Sequence, residues 1–290
     1  MSILNGIFSL GFMAGVQIGA RIASYLVVFV LSIIFGCCGL FYTLLVVQEY
    51  RTEFKKEAQK SILDRTHIIE SFKTIFKHKR RLQIIVLLSS FLALMLCLNT
   101  GDFDFLMTRL KFGWESSEFS DYLTVQRGVR LTSLLLLLPL LSGLLHMSDT
   151  WIIVCGLLLT CTAYTLLCFA SISWMMFVSA ILQMNSVTTV TIRAHLSKQV
   201  EKDQIGKVFA VVGIGQSLVS LVSHSLFGTI YHLTLSVFPT AYLICVILPL
   251  FAAFVSVLVI HKKIHLNGEE GQECESGSCD ETKKLNTPIS

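Results

Sequence analysis

The stretch QIIVLLSSFLALMLCLNTGDFDFLMT, residues 83–108, decides the reading of the chain. Its first sixteen residues are apolar apart from Gln83, Ser89 and Ser90; then Asn99, Thr100, Gly101, Asp102 and Asp104 fall where a membrane helix would still be running. A bilayer core about 30 Å thick takes roughly 20 predominantly apolar residues to cross as a helix. Seven more stretches of this kind flank it, at 2–18, 24–47, 119–143, 149–169, 172–194, 206–229 and 236–261. The expected fold is therefore all-α, a polytopic membrane helix bundle of about eight transmembrane helices. Composition agrees: 53% hydrophobic, 14% charged and a mean hydropathy of +0.70, outside the balance of a soluble domain that must dress its surface in charge. Residues 2–18 lack the basic start of a secretory signal and run at once into the next apolar stretch, so they too read as a membrane helix.

Lys and Arg orient the spans, because loops that carry them resist translocation. Ten of the 23 lie between Gln48 and Arg81; with that connector in the cytoplasm, the same side collects four more between Arg193 and Lys207, and Lys262, Lys263, Lys283 and Lys284. The other side holds Arg21, Arg109 and Lys111, and an even number of helices puts both termini in the cytoplasm. The organisation read from this is two helices in 1–47, a basic connector at 48–81, six helices in 82–261 and a disordered tail at 262–290. In the connector Ile62, Ile69, Phe72 and Phe76 share one helical stripe, with Lys60, Lys73, Lys77 and Glu70 on other faces, a pattern suited to the membrane surface or to a solvated linker. The net charge of +4 thus reflects topology, and with no nucleic-acid motif the partners expected are lipid and a small-molecule solute. Seven of the nine cysteines sit inside apolar spans, and Cys274 and Cys279 in the tail lack histidines at zinc spacing, so neither a disulfide framework nor a metal site is expected. The chain carries no HExxH and no GxSxG, which speaks against an intramembrane enzyme.

Polar residues inside spans are costly in lipid and so are the functional candidates. Asn99 to Asp104 either break the third span, freeing backbone groups to line a cavity, or mark its end near Leu98 with Phe103 to Leu110 at the interface. Arg127 and Arg130, one turn apart, share a face of the fourth span and offer fixed positive charge to an anion or to Glu118, Asp121, Asp102 or Asp104. Gln183, Asn185, Ser186, Thr188, Thr189 and Thr191 make the cytoplasmic half of the sixth span polar, a pattern that helix–helix hydrogen bonding also produces. Gln216, Ser220 and His224 form one stripe of the seventh; a histidine there is either a proton acceptor or a neutral imidazole bonded to a neighbouring helix. Gly11, Gly15 and Gly19 form a ridge for close helix approach, and Pro139 and Pro249 should kink their spans.

Specific strings add to the pattern. Residues 189–209, TVTIRAHLSKQVEKDQIGKVF, and 226–251, LFGTIYHLTLSVFPTAYLICVILPLF, with Thr100 and Asp102 followed by Phe112, Gly113 and Trp114, resemble the second half of the solute carrier family 46 transporters. The resemblance implies the major facilitator fold, the eight spans corresponding to helices 5 to 12 of 12, with four helices missing from the front. It implies transmembrane transport of a small, anionic organic solute, folate-like or related, with protons as the coupling ion and no other cofactor. It places Arg193 where the family has an arginine important to substrate handling, and Asp102 at the cavity side of the seventh helix; the histidine that this helix carries in the family is absent here. The substrate-binding candidates are then Arg193, Arg127, Arg130, Asn99, Gln183 and Gln216, and the proton-coupling candidates Asp102, Asp104 and His224. The membrane implied is plasma or endolysosomal. The other class of function expected of such a chain is a truncated, non-transporting membrane protein that assembles with full-length protomers or regulates them.

Overall fold

The computed structural model describes residues 2–22, 24–46, 81–183, 185–200 and 204–262, and no strand occurs among them. The connector stripe of Ile62, Ile69, Phe72 and Phe76 and the tail with Cys274 and Cys279 lie outside the described residues. The helices are α1 (Ser2–Arg21), α2 (Tyr25–Val46), α3 (Arg81–Leu98), α4 (Gly101–Phe112) and α5 (Ser116–Thr132). They continue with α6 (Asp149–Cys168), α7 (Ser173–Leu182), α8 (Asn185–Gln199) and α9 (Ile205–Thr234). The last, α10, runs through Ala241–Lys262 and opens with a 3-10 turn at Ala241–Leu243. Among the described residues seven paths are long and apolar enough to cross a membrane: α2, α3, α5 with its extension to Leu144, α6, α7 with α8, α9 and α10. The 20-residue α1 occupies the position of the eighth expected span.

Two expected spans are not continuous. Residues 83–108 divide into α3 and α4, because Asn99, Thr100 and Gly101 all favour leaving the helix over staying in it. The helix stops at Leu98 and restarts at Gly101, an arrangement common to both readings of these residues, a broken span and a span end near Leu98. The carbonyls freed there find side-chain donors: Met95 O accepts from Asn99 Nδ2 at 3.0 Å, and Cys97 O from Tyr164 Oη at 2.8 Å. The second break was not foreseen. The span expected at 172–194 leaves the helix at Gln183, whose ψ of 90° is extended, and resumes at Asn185. In α5, Pro139 stands between two wide turns, Ser133–Leu137 and Leu140–Leu144, where its missing amide donor would otherwise leave a gap in the helical ladder.

Both ends of α4 are marked by local sequence. Asp102 and Asp104 in its first turn and Arg109 and Lys111 in its last complement the helix dipole. Gly113 closes it at φ 69°, a left-handed conformation for which glycine is suited, with its amide on Arg109 O. The chain then restarts in α5 with a capping box in which the Glu115 amide donates to Glu118 Oε2 at 2.6 Å.

α6 packs on α7 and α8, α3 on α8 and α9, and α5 on α7 and α8, while α4 leans on α9 and α1 lies along α5. Between helices in lipid there is no apolar surface to hide from water, so close packing and hydrogen bonds decide the assembly. Gly156 of α6 sits directly against Thr188 of α8, and Gly215 of α9 against Leu92 of α3. Phe103, Phe227, Tyr231 and Tyr242 form an aromatic cluster joining α4, α9 and α10, with ring centroids 5.8–6.2 Å apart. The glycine ridge of α1 has no partner helix here: no atom lies within 4 Å of a Cβ placed at Gly11, Gly15 or Gly19, so among the described residues that face is open. α2 likewise exposes Leu26, Phe29, Ile33, Phe35 and Leu44.

Candidate functional site

The polar residues of the bundle gather around α5, whose Gln126 and Arg130 both donate to Gln183. A cavity of about 570 Å³ is lined by Asn99, Asp102, Asp104, Arg127, Arg130 and His224, with Phe12 of α1 forming part of its wall. A second, of about 290 Å³, is lined by Arg127, Arg130, Asn185, Thr189, Arg193 and Gln216. Arg127 and Arg130 belong to both. Their spacing of three on α5 puts the two guanidinium groups on one face, and that face is the partition between the cavities.

The arginines do not form the ion pairs that the sequence left open to them. Among the described residues no carboxylate lies within 4.0 Å of Arg127, Arg130 or Arg193. Glu118 is used by the cap of α5, and Asp121 accepts from Gln17 at 3.0 Å and faces Arg21 at 4.0 Å. Arg130, only 5% exposed, donates to Gln183 Oε1 at 2.8 Å, and Gln126 donates to the same oxygen at 3.0 Å. Arg127 lies over the Phe12 ring at 4.0 Å and Arg193 over Phe91 at 4.9 Å. Arg193 Nη2 also donates to Gln216 Oε1 at 3.3 Å. The Nε atoms of all three arginines are buried without a hydrogen-bond partner, which leaves donor capacity beside the cavities.

The carboxylates divide into an exposed and a buried one. Asp102 is 82% exposed and lies 3.7 Å from His224 Nε2, whose Nδ1 is 2.8 Å from Ser220 O on its own helix rather than on a neighbouring one. Asp104 is buried; its two oxygens accept from Tyr242 Oη at 2.7 Å and Thr100 Oγ1 at 2.9 Å. Asn99 joins the same wall by accepting from Ser220 Oγ at 3.2 Å.

Of the residues singled out in the sequence, Asn99, Asp102, Asp104 and His224 meet at the first cavity, Arg193 and Gln216 at the second, and Arg127 and Arg130 at both. Gln183 lines neither and acts on Arg130. The sequence reading missed Gln126, Tyr164, Tyr242 and Phe12. Gln126 had a signal, standing one turn before Arg130 and one after Tyr122, to whose hydroxyl it donates at 3.2 Å. The others come from helices distant in sequence and carry no local sign.

Residues 111–278 match the sequence profile described as the Major Facilitator Superfamily, more than half of the chain. The chain is 34% identical over 107 residues to the proton-coupled folate transporter of Rattus norvegicus, 34% of this chain and 23% of that protein. It is 28% identical over 137 residues to the "Probable peptidoglycan muropeptide transporter SLC46" of Drosophila melanogaster, 45% of this chain and 26% of that one. With solute carrier family 46 member 2 of Mus musculus the identity is 28% over 113 residues, 39% and 23% of the two chains. The chain thus spans about a quarter of the length of the curated relatives it matches.

Proposed function

Because the chain belongs to the Major Facilitator Superfamily and is a multi-pass membrane protein, we propose that its arginine-walled cavities carry a small anionic organic solute across the membrane. The observation that bears this reading is the position of Arg127 and Arg130 on the walls of two cavities, with no carboxylate within 4.0 Å of either among the described residues. A fixed positive charge in a low-dielectric setting needs a counter-charge, and an anion arriving from either cavity supplies it. Arg193, with Gln216, receives the same anion in the second cavity, and the guanidinium fork matches a carboxylate in two-point contact. Exchange of the anion between the cavities is alternating access across the arginine pair.

The proton acceptors in this reading are Asp102 and His224, side by side at the first cavity and open to solvent. By the distribution of Lys and Arg, the cavity of Arg193 faces the cytoplasm, as do both termini, and that of Asp102 faces the other side. The identity between this chain and transporters of folate and of muropeptide supports a solute of that size and charge.

The test is uptake of radiolabelled isophthalate, a dianion that crosses lipid slowly, into proteoliposomes holding the chain. Saturable uptake, accelerated by an inward proton gradient and lowered at least tenfold in Arg130→Ala, is the expected result. Uptake no faster than in empty vesicles would overturn the proposal. His224→Ala is expected to keep isophthalate binding while removing the acceleration by the gradient; retention of full acceleration would take His224 out of the proton path.

A further inference from the structure

The first cavity holds buried charge of both signs that is not joined into an ion pair. Asp104 and Arg130, each 5% exposed, both line it, yet no basic group lies within 4.0 Å of Asp104 and no acidic group within 4.0 Å of Arg130 among the described residues. Two opposite charges free to meet in a low dielectric would do so. These are kept apart by their anchors. Gln183 holds Arg130 on the α5 side, and Tyr242 and Thr100 hold Asp104 on the α4 side. Tyr242 is itself fixed, fully buried, by ring contacts to Phe103, Phe227 and Tyr231. Each oxygen of Asp104 accepts one hydroxyl donor, and a carboxylate has room for about four, so acceptor capacity remains toward the cavity.

We propose that the cavity takes an amphoteric solute, which lays a carboxylate on Arg127 and Arg130 and an N–H-bearing cation, an ammonium or amidinium, on Asp104. This rests on the anion-carrier reading above and adds the second charge to it. The ligand's cation supplies Asp104 with the counter-charge it lacks among the described residues, and the coupling proton remains with Asp102 and His224. The groups facing Asp104 from the packed elements are Asp102 on its own helix, Arg127 and Arg130 on α5, His224 on α9 and Tyr242 on α10, with Tyr164 of α6 on the same cavity wall. Of these only the arginines are permanently charged, and they belong to the carboxylate end. A solute with anionic groups alone would leave Asp104 to its two hydroxyl partners and gain nothing from it.

The experiment measures equilibrium binding to the detergent-solubilised chain at neutral pH. The probes are three aminoalkylbenzoates of increasing reach, each paired with the alkylbenzoate that lacks the amine, and isophthalate as a carboxylate-only reference. Wild-type protein is expected to bind at least one amine about tenfold or more tightly than its partner, in line with the coupling measured for close, desolvated charge pairs. Asp104→Asn, which keeps the shape and can still accept one hydroxyl, is expected to erase that preference between each amine and its partner. Isophthalate bound but no pair favouring the amine overturns the amphoteric assignment and leaves the anion reading standing. An amine preference that survives in Asp104→Asn overturns it equally. Binding of none of the probes to the wild type overturns both. The comparison of paired probes on the wild-type chain does not depend on any variant folding.

Discussion

Tyr242 shows what a single side chain contributes here. Its hydroxyl is the partner, on a helix 138 positions away, of the buried Asp104 carboxylate. Tyr242→Phe keeps the ring packing and removes the donor, and a lost hydrogen bond to a buried charged group costs about 1–3 kcal/mol. A lowered thermal unfolding midpoint in detergent is expected, with Asp104→Asn partly relieving it in the double variant; additive losses would mean the two side chains do not act as a pair. Gln183 works on the same scale. It touches neither cavity but holds Arg130, so Gln183→Leu is expected to weaken isophthalate binding several-fold, and unchanged binding would show that Arg130 needs no positioning. The sequence made the charged half of this site legible, since Arg, Asp and His inside apolar spans declare themselves. Tyr242, Tyr164 and Gln126 could not be picked out, because tyrosine and glutamine are ordinary in such helices and their partners come from other elements. The partner of the arginines stayed open in the sequence for a related reason: Glu118 and Asp121 are close in sequence, but local capping and contact with α1 use them first.

At the scale of elements, the breaks in α3/α4 and α7/α8 bring polar backbone and side chains to the cavity walls. Only the first had a local signal, a run of five polar or helix-breaking residues that fits a break or a span end; the six polar residues from Gln183 to Thr191 gave a patch without a sign of where the helix stops. Elsewhere the elements meet through small residues. A Cβ on Gly156 would fall inside the Thr188 side chain, and a β-branched residue has little room to turn aside. Gly156→Ala is expected to destabilise the α6–α8 contact by about 1–3 kcal/mol, with much of the loss recovered on adding Thr188→Ala. Equal melting of Gly156→Ala and wild type would contradict the closeness of that packing. The ridge of Gly11, Gly15 and Gly19 was equally plain in sequence, but a small-residue stripe tells that a helix can be approached, not what approaches it.

For the molecule as a whole, hydropathy and the asymmetry of Lys and Arg carried the reading of a helical membrane bundle, because both follow from what lipid tolerates and not from particular contacts. The relation of the two cavities was beyond that reading, since it depends on which faces of α3, α5, α8 and α9 meet. It is best measured by single cysteines in a background whose native cysteines are replaced: Asn99→Cys and Asp102→Cys for the first cavity, Thr189→Cys and Arg193→Cys for the second. A membrane-impermeant thiol reagent is expected to reach 99 and 102 from the non-cytoplasmic face and 189 and 193 from the cytoplasmic face, with bound isophthalate slowing both. Failure of the reagent to reach any of the four positions from either face would contradict a solute path through the arginine pair.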